Sequence, residues 1–171
     1  MKKTKKFISL FITICLLMTF VPMQMAYADS AFSGGNGTMD DPYLITSAND
    51  FKQLATEVNG GNNYSNTYFK IPETVTETIE LSTDDGYVPI GNDTNQFEGT
   101  FDGGNHTINL NLTGERLVGL FGEGGENSNL CNIRTTGSVS MTGYYAGGIV
   151  ANMYGNVVNC HNEASVTGYY H

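Results

Sequence analysis

Basic residues are scarce in this chain, which has eight lysines and arginines against 17 acidic residues. Residues 1–28 hold four of the eight basic residues and none of the acids, so the remainder has a net charge of −13. Its four cations are scattered along the chain: Lys52, Lys70, Arg116 and Arg134. Because phosphate binding needs clustered lysines and arginines, this pattern excludes nucleic acid and anionic lipid as partners.

Cysteine is also rare, and tryptophan is absent. Of the three cysteines, Cys15 lies in an N-terminal apolar run, which leaves Cys131 and Cys160. Two cysteines are too few for a disulfide scaffold, and no Cys/His spacing fits zinc. We expect both to be small buried side chains, with a disulfide between them as the alternative.

The N-terminus has the three parts of a cleavable signal peptide. Four lysines within residues 2–6 precede an uncharged apolar run, 7–21, and then Ala26-Tyr27-Ala28. Because a membrane-spanning helix needs about 20 apolar residues, the run is short for a transmembrane anchor, which is the alternative. We therefore predict cleavage between Ala28 and Asp29 and a secreted or cell-surface protein.

All 21 glycines lie beyond residue 28, together with many asparagines and threonines. This composition predicts tight turns between short strands, and the recurrent aliphatic and aromatic residues argue against disorder. One helix is predicted, over residues 47–59. Ser47 and Asp50 form a capping box, and apolar residues follow at helical spacing: Phe51, Leu54, Ala55 and Val58. Residues 29–46 are predicted to be a turn-rich N-terminal segment.

The chain repeats itself after the helix. Residues 113–122 are echoed by 142–151 at an offset of 29, and 142–145 by 167–170 at an offset of 25. Shorter matches inside these units have an offset of 27. We divide this region into repeats 113–141, 142–166 and 167–171.

Repeats of this length with glycine-rich turns are typical of solenoids, whose coils stack on their neighbours. We expect columns of equivalent residues: Leu120 over Ile149, Phe121 over Val150, and Val139 over Val166. An antiparallel β-sandwich is the alternative, but it needs no register-matched repeat. The predicted fold is therefore an all-β parallel solenoid over residues 47–171, with helix 47–59 covering its N-terminal end.

The repeats also resemble a known family. Gly-Leu-Phe-Gly at 119–122 and Gly-Ile-Val-Ala at 148–151 resemble GLUG-motif repeats, and the segment 97–108 resembles the one that often precedes them. The resemblance covers most of residues 34–171. It implies a right-handed parallel β-helix in exported bacterial surface proteins. Some members accompany the separate zinc peptidase of IgA-specific metalloendopeptidases, and others are adhesin-like.

No catalytic residue is identified in the sequence. His106, His161 and His171 lie outside any His-Glu-x-x-His motif, and Gly-x-Ser-x-Gly is absent. Carbohydrate-active β-helices need paired acids, and the candidates here lie within two residues of glycine or asparagine, which favours turns. These acids are Asp84, Asp85, Asp93 and Asp102. A calcium site at Gly34–Gly37 with Asp40 and Asp41 is a weaker alternative, because such sites need stacked copies.

Two tyrosine pairs are the candidate ligand-binding residues: Tyr144 with Tyr145, and Tyr169 with Tyr170. In a stacked solenoid one ring of each pair would be exposed and the other packed, and an exposed aromatic column suits sugar rings. A purely stabilising ladder is the alternative.

We therefore expect a non-catalytic extracellular module with an adhesive, ligand-presenting or spacer role, without cofactor. The alternatives are a fragment of a carbohydrate-active enzyme and a substrate-positioning segment of a larger surface metallopeptidase. Because the last repeat stops before the next Ala-Gly-Gly-Ile, we also expect either a longer protein or self-association through an open C-terminal edge.

Overall fold

The computed structural model describes residues 32–168, and the predicted cleavage site at Ala28 and Asp29 and the pair Tyr169 and Tyr170 lie outside them. The described residues form one helix and twelve strands. The strands are β1 (Tyr43–Leu44), β2 (Tyr68–Lys70), β3 (Ile79–Ser82), β4 (Thr100–Asp102), β5 (Thr107–Val118), β6 (Phe121–Gly124), β7 (Asn129–Cys131), β8 (Arg134–Ala146), β9 (Val150–Met153), β10 (Asn156–Val158), β11 (His161–Asn162) and β12 (Ser165–Gly168). The helix, α1, is Ala48–Asn59.

The strands form three parallel sheets that the chain visits in turn. Sheet A has the order β1-β2-β4-β7-β10, which gives one strand for each of five coils. Sheet B has the order β3-β5-β8, with β11 and β12 both on β8, and sheet C pairs β6 with β9. Bridges from Ile90 and Phe97 to β6 extend sheet C by one coil. The fold is therefore the predicted parallel β-solenoid and not a sandwich, while its handedness stays a prediction.

Helix α1 takes the place of two strands in the first coil. Between β1 and β2, both in sheet A, the chain forms α1 instead of strands for sheets B and C. The predicted capping box of Ser47 and Asp50 is present, and the predicted apolar face is buried. The Asn59 side chain bonds the next coil, with its Nδ2 donating to Pro89 O and its Oδ1 accepting from Gly91 N. The helix thus covers the N-terminal end, as predicted.

The core consists of columns of apolar side chains that run from coil to coil. Phe69, Phe101 and Leu130 lie in register on sheet A, and each is almost completely buried. The predicted pairing of Phe121 with Val150 is confirmed in sheet C, and that of Val139 with Val166 in sheet B. Just before the pair in sheet C, Leu120 N donates to Gly148 O and Phe121 N donates to Ile149 O, which keeps the same 29-residue offset. The periodic apolar residues therefore fill one continuous interior.

Strand register departs from the sequence echoes at one corner. Thr113 pairs with Ser140, not with its echo Thr142, and Thr167 also pairs with Ser140. Sheet B therefore keeps an offset of 27, which holds its apolar residues inward. A bulge between Gly114 and Arg116 then shifts the register before sheet C. In this part of sheet B, the residues that match at offsets of 29 and 25 in the sequence are therefore not the residues that pair.

The N-terminal boundary of the solenoid also differs from the prediction. Tyr43 and Leu44, within the segment 29–46, pair with Phe69 and Lys70 as the first strand of sheet A. Tyr43 packs its ring against Phe69, with a centroid distance of 5.5 Å. The solenoid therefore begins before the helix, because this short extended piece already packs a partly buried aromatic side chain against the core.

Tyr87 links the second coil to the third through a buried hydroxyl. Its side chain is fully buried, and its hydroxyl donates to Leu120 O at 2.6 Å. Burial raises the pKa of Tyr87 well above its ordinary value of 10.0. The neutral phenol therefore stabilises the fold at every pH below about 10, and this contribution is lost as the pH rises further.

We predict that Tyr87→Phe lowers the free energy of unfolding at pH 7 by about 0.5–1.5 kcal/mol, because the Leu120 carbonyl loses the shorter of its two hydrogen bonds and keeps the one from Ile90 N. The deficit should shrink above about pH 10, where only the wild type must keep a buried phenol neutral. Urea denaturation between pH 7 and about 11 measures both effects. Identical pH dependence in the two proteins would contradict this role of Tyr87.

Candidate binding surfaces

The predicted tyrosines lie at the corner between sheets B and C. Arg116 near the end of β5 pairs in register with Tyr144 near the end of β8, and Tyr145 follows it. Arg116 also forms a salt bridge with Asp93, with 2.6 Å between Nη2 and Oδ1. We call Asp93, Arg116, Tyr144 and Tyr145 the aromatic corner.

Both tyrosine rings of the aromatic corner are exposed. Tyr144 and Tyr145 each leave 56% of their surface accessible, so the prediction that one of this pair packs inward is wrong. The backbone gives the reason. Tyr145 has φ +66° and Leu117 on the neighbouring coil has φ +51°, so strand alternation is broken on both coils. Both rings consequently project from one corner.

Polar groups surround these rings. The Arg116 and Asp93 side chains are 56% and 48% exposed, so their salt bridge contributes little to stability. The Asp93 carboxylate raises the pKa of the Arg116 guanidinium, mainly through their hydrogen bond. A shallow cavity of about 290 Å³ adjoins the pair, between Asn59, Pro89 and Asn92. The corner thus combines aromatic surface with hydrogen-bond donors and acceptors.

A second surface, the sheet A groove, was missed by sequence reasoning. It has a volume of about 560 Å³, and two columns of outward side chains form its floor. One column is Tyr68, Thr100 and Asn129, and the other is Lys70, Asp102 and Cys131. Met39, Asp40 and Pro42 form one wall. The alternation of buried and outward side chains in β2, β4 and β7 could have indicated the floor of the groove. Its wall could not be predicted, because it depends on how residues 34–42 fold back.

Asp102, a candidate acid, serves the turn that leaves sheet A. Its Oδ1 accepts hydrogen bonds from Gly104 N and Asn132 Nδ2, both at 2.9 Å. Asn159 Nδ2 in turn donates to Asn132 Oδ1 at 2.6 Å. Asn132 and Asn159 both have φ +53°, which asparagine tolerates well. These residues form a side-chain ladder that repeats the same corner on three successive coils.

The other candidate acids do not meet at a common site. Asp84 and Asp85 are exposed in a turn after β3, where the Asp84 N–H bonds Ser82 Oγ and the Asp85 N–H bonds Ser82 O. Asp93 instead forms a salt bridge with Arg116, near the end of β5. Their positions match the turn interpretation of the sequence.

Cys131 and Cys160 are free thiols and are half-buried. Cys131 pairs with Val158, as predicted from the repeat, while Cys160 Sγ lies 3.4 Å from Val158 O. Burial, reinforced by the charge of Asp102, raises the pKa of Cys131 to about 11. The predicted disulfide alternative is not formed, and the thiols act as small packing groups.

The candidate calcium segment forms a closed turn. Asn36 Oδ1 accepts from both the N–H and the hydroxyl of Thr38, and Asp41 O accepts from the N–H groups of Asn36 and Gly37. Across residues 32–168, no group of three or more His, Cys, Asp or Glu side chains is placed to hold a metal ion. In the same range, no helix has the length and apolar character needed to cross a membrane.

Comparison with known proteins gives two relatives. The chain is 32% identical over 161 residues, 90% of its length, to a protein of Evansella cellulosilytica named as a Gly-rich membrane protein. It is 36% identical over 143 residues, 78% of its length, to halomucin of Haloquadratum walsbyi. The matches span only 18% and 2% of these relatives. No protein-family model and no solved structure matches the chain significantly, so the GLUG resemblance stays a prediction.

Proposed function

We propose that this chain is a non-catalytic extracellular module of a surface or secreted protein, which presents the aromatic corner to a glycan-rich ligand. The observation that carries the proposal is the projection of Tyr144 and Tyr145 beside an exposed ion pair. Because the stacked coils already hold the backbone at these tyrosines in place, the protein loses little conformational entropy when a ligand binds. A spacer role follows from the same elongating architecture.

The relatives support a surface-type protein. Both have names that place them at or outside a membrane or among mucins, and both are much longer than this chain. A module that presents a surface to a ligand outside the cell has to be soluble but does not need an active site. The net charge of −13 beyond residue 28 provides that solubility.

Two alternatives are weaker on structural grounds. A carbohydrate-active enzyme would use Asp84, Asp85 or Asp102, but Asp102 already accepts two hydrogen bonds within its turn. A substrate-positioning segment of a larger surface metallopeptidase requires a peptidase domain outside this sequence. The predicted export signal and the exposed tyrosines are common to that proposal and ours.

The aromatic corner can be tested with a double variant. Tyr144→Ala with Tyr145→Ala should weaken binding to immobilised mucin or polysaccharide by about 10-fold or more, because stacked rings supply most of the contact. Binding is measured by biolayer interferometry against a panel of such polymers. Thermal unfolding should change little, since both rings are exposed.

Tyr154 offers a matched control. It is 58% exposed and follows β9, at the corner between sheets C and A. Tyr154→Ala should leave binding unchanged. Wild-type affinity in the double variant, or an equal loss in Tyr154→Ala, would remove the aromatic corner from the proposal.

A further inference from the structure

The sheet A groove combines a concave shape with polar side chains that have no protein partner. Its volume of about 560 Å³ lies within the range of small-ligand sites, about 300–1,000 Å³. Among residues 32–168, no hydrogen bond or salt bridge engages the polar ends of four partly buried floor side chains, which are Tyr68, Lys70, Thr100 and Asn129. These groups are therefore available to another molecule.

Outward polar side chains elsewhere on the solenoid bond one another from coil to coil. On sheet B, Asn109 Nδ2 donates to Glu80 Oε2 of the preceding coil, and Thr136 Oγ1 of the next coil donates to Asn109 Oδ1. The corner after sheet A is bonded in the same way. The four floor side chains also lie on neighbouring, in-register strands, but they do not satisfy one another. The floor thus differs from the other outward columns.

The charges of the groove indicate a neutral ligand. Lys70 is the one cation among its lining residues, and Asp40 and Asp102 are the acids, so the lining has a net charge of −1. The chain beyond residue 28 has a net charge of −13. Such a surface repels a polyanion, while the Lys70 ammonium on the floor opposes a polycation.

The two floor columns suit the chemistry of a sugar chain. Equivalent residues recur at the spacing of one coil, about 4.8 Å, which is close to the length of one sugar ring. Tyr68, together with Met39 and Pro42 of the wall, provides apolar surface for the C–H face of a ring. The ammonium, hydroxyl and amide groups beside them can donate to and accept from sugar hydroxyls.

We infer that the sheet A groove binds a neutral oligosaccharide chain, which lies along the solenoid axis and crosses three coils. This site is separate from the one in the proposed function, because the aromatic corner lies between sheets B and C, across the coil from sheet A. On a long polymer the two sites can act together. A short oligosaccharide in the groove does not reach the corner, so the two sites can be tested separately.

Cys131 provides a reporter of occupancy because it lines the groove, and Cys160 is the reference thiol in the same chain. Burial raises the pKa of both thiols, so their alkylation is followed at about pH 9 by mass spectrometry of the digested protein. The probes are short neutral oligosaccharides of glucose, mannose, xylose, galactose or N-acetylglucosamine, with oligogalacturonate as the acidic comparison. At least one neutral probe, at up to about 10 mM, should slow the alkylation of Cys131 about 5-fold or more and leave that of Cys160 unchanged.

Lys70→Met should raise the probe concentration needed for this protection about 10-fold or more, because it removes a charged hydrogen-bond donor. Lys52→Met is the matched control, since Lys52 lies on α1 and donates to Asp85 O outside the groove. It should behave as the wild type. Circular dichroism shows whether each variant is folded, and Asn129→Ala replaces Lys70→Met if the latter does not fold.

Tyr144→Ala with Tyr145→Ala should keep the full protection of Cys131, which distinguishes this inference from the proposed function. Loss of protection in that variant would overturn the separate site. So would the absence of protection by every neutral probe, or protection by oligogalacturonate alone. Wild-type protection in the folded groove variant would overturn the inference as well.

Discussion

Replacement of Phe101 by alanine should lower the free energy of unfolding by about 3–5 kcal/mol, the usual cost of a cavity left by a buried phenylalanine. Phe101 is 0% exposed at the centre of the sheet A column. Its ring lies 5.6 Å from that of Phe51 on α1 and 5.4 Å from that of Phe121 in sheet C, measured between centroids. One side chain therefore joins the helix to two sheets.

This loss is large because single domains are stable by only about 5–15 kcal/mol. Urea denaturation monitored by circular dichroism measures it. Thr100→Ala is the control, since Thr100 precedes Phe101 in β4 and faces outward into the sheet A groove. It should cost at most about 1 kcal/mol. A Phe101→Ala variant as stable as Thr100→Ala would contradict the stacked-column description of the core.

Replacement of Gly137 by alanine should destabilise the fold by about 2–5 kcal/mol, from backbone strain and overpacking together. Gly137 lies in β8 opposite Leu110 and has φ +90°. A Cβ at this position would come within 2.1 Å of Leu110 O on the preceding coil. Because that obstacle is backbone, the coils themselves would have to move apart.

Gly86 separates the two causes. It has a similar φ of +82°, but a Cβ there would meet nothing within 4 Å. Gly86→Ala should therefore show only the conformational cost, about 1–2 kcal/mol. The difference between the two urea midpoints reports how closely neighbouring coils approach at Gly137. Equal effects at both glycines would mean that the coils are not in the described register.

Local signals were sufficient to predict the helix. The capping box of Ser47 and Asp50 and the apolar spacing after it depend on neighbours within one or two turns. The solenoid could also be predicted, because equivalent residues such as Phe121 and Val150 recur at the spacing of one coil. The helix needs only local signals and the solenoid only the repeat, so neither prediction needs the long-range contacts of the chain.

The corner after β5 could not be predicted in the same way. Its sequence echo pairs Thr113 with Thr142, but apolar burial along sheet B requires the pairing of Thr113 with Ser140. The bulge before Arg116 reconciles the two sheets, and the left-handed Tyr145 follows from it. The bulge and the left-handed residue depend on contacts between coils, so they cannot be predicted from the pattern within one repeat. The exposure of both tyrosines is the result.

The sheet A groove was hidden for a related reason. Its floor residues come from three strands that are about 30 residues apart in sequence, and parallel pairing alone brings them together. Its wall needs residues 34–42 to fold against β2, which the hydrogen bond from Tyr68 N to Gly37 O achieves. A surface built from the side chains of several coils becomes visible only once the register is known.

The most direct test of the functional account combines binding and catalysis in one experiment. The protein without its predicted signal peptide is incubated with mucin and a panel of polysaccharides, and both its retention and the release of new chain ends are measured. We predict retention that depends on Tyr144 and Tyr145, with no new reducing or unsaturated ends. New ends that disappear in Asp84→Asn, Asp85→Asn or Asp102→Asn variants would contradict the account and identify an enzyme.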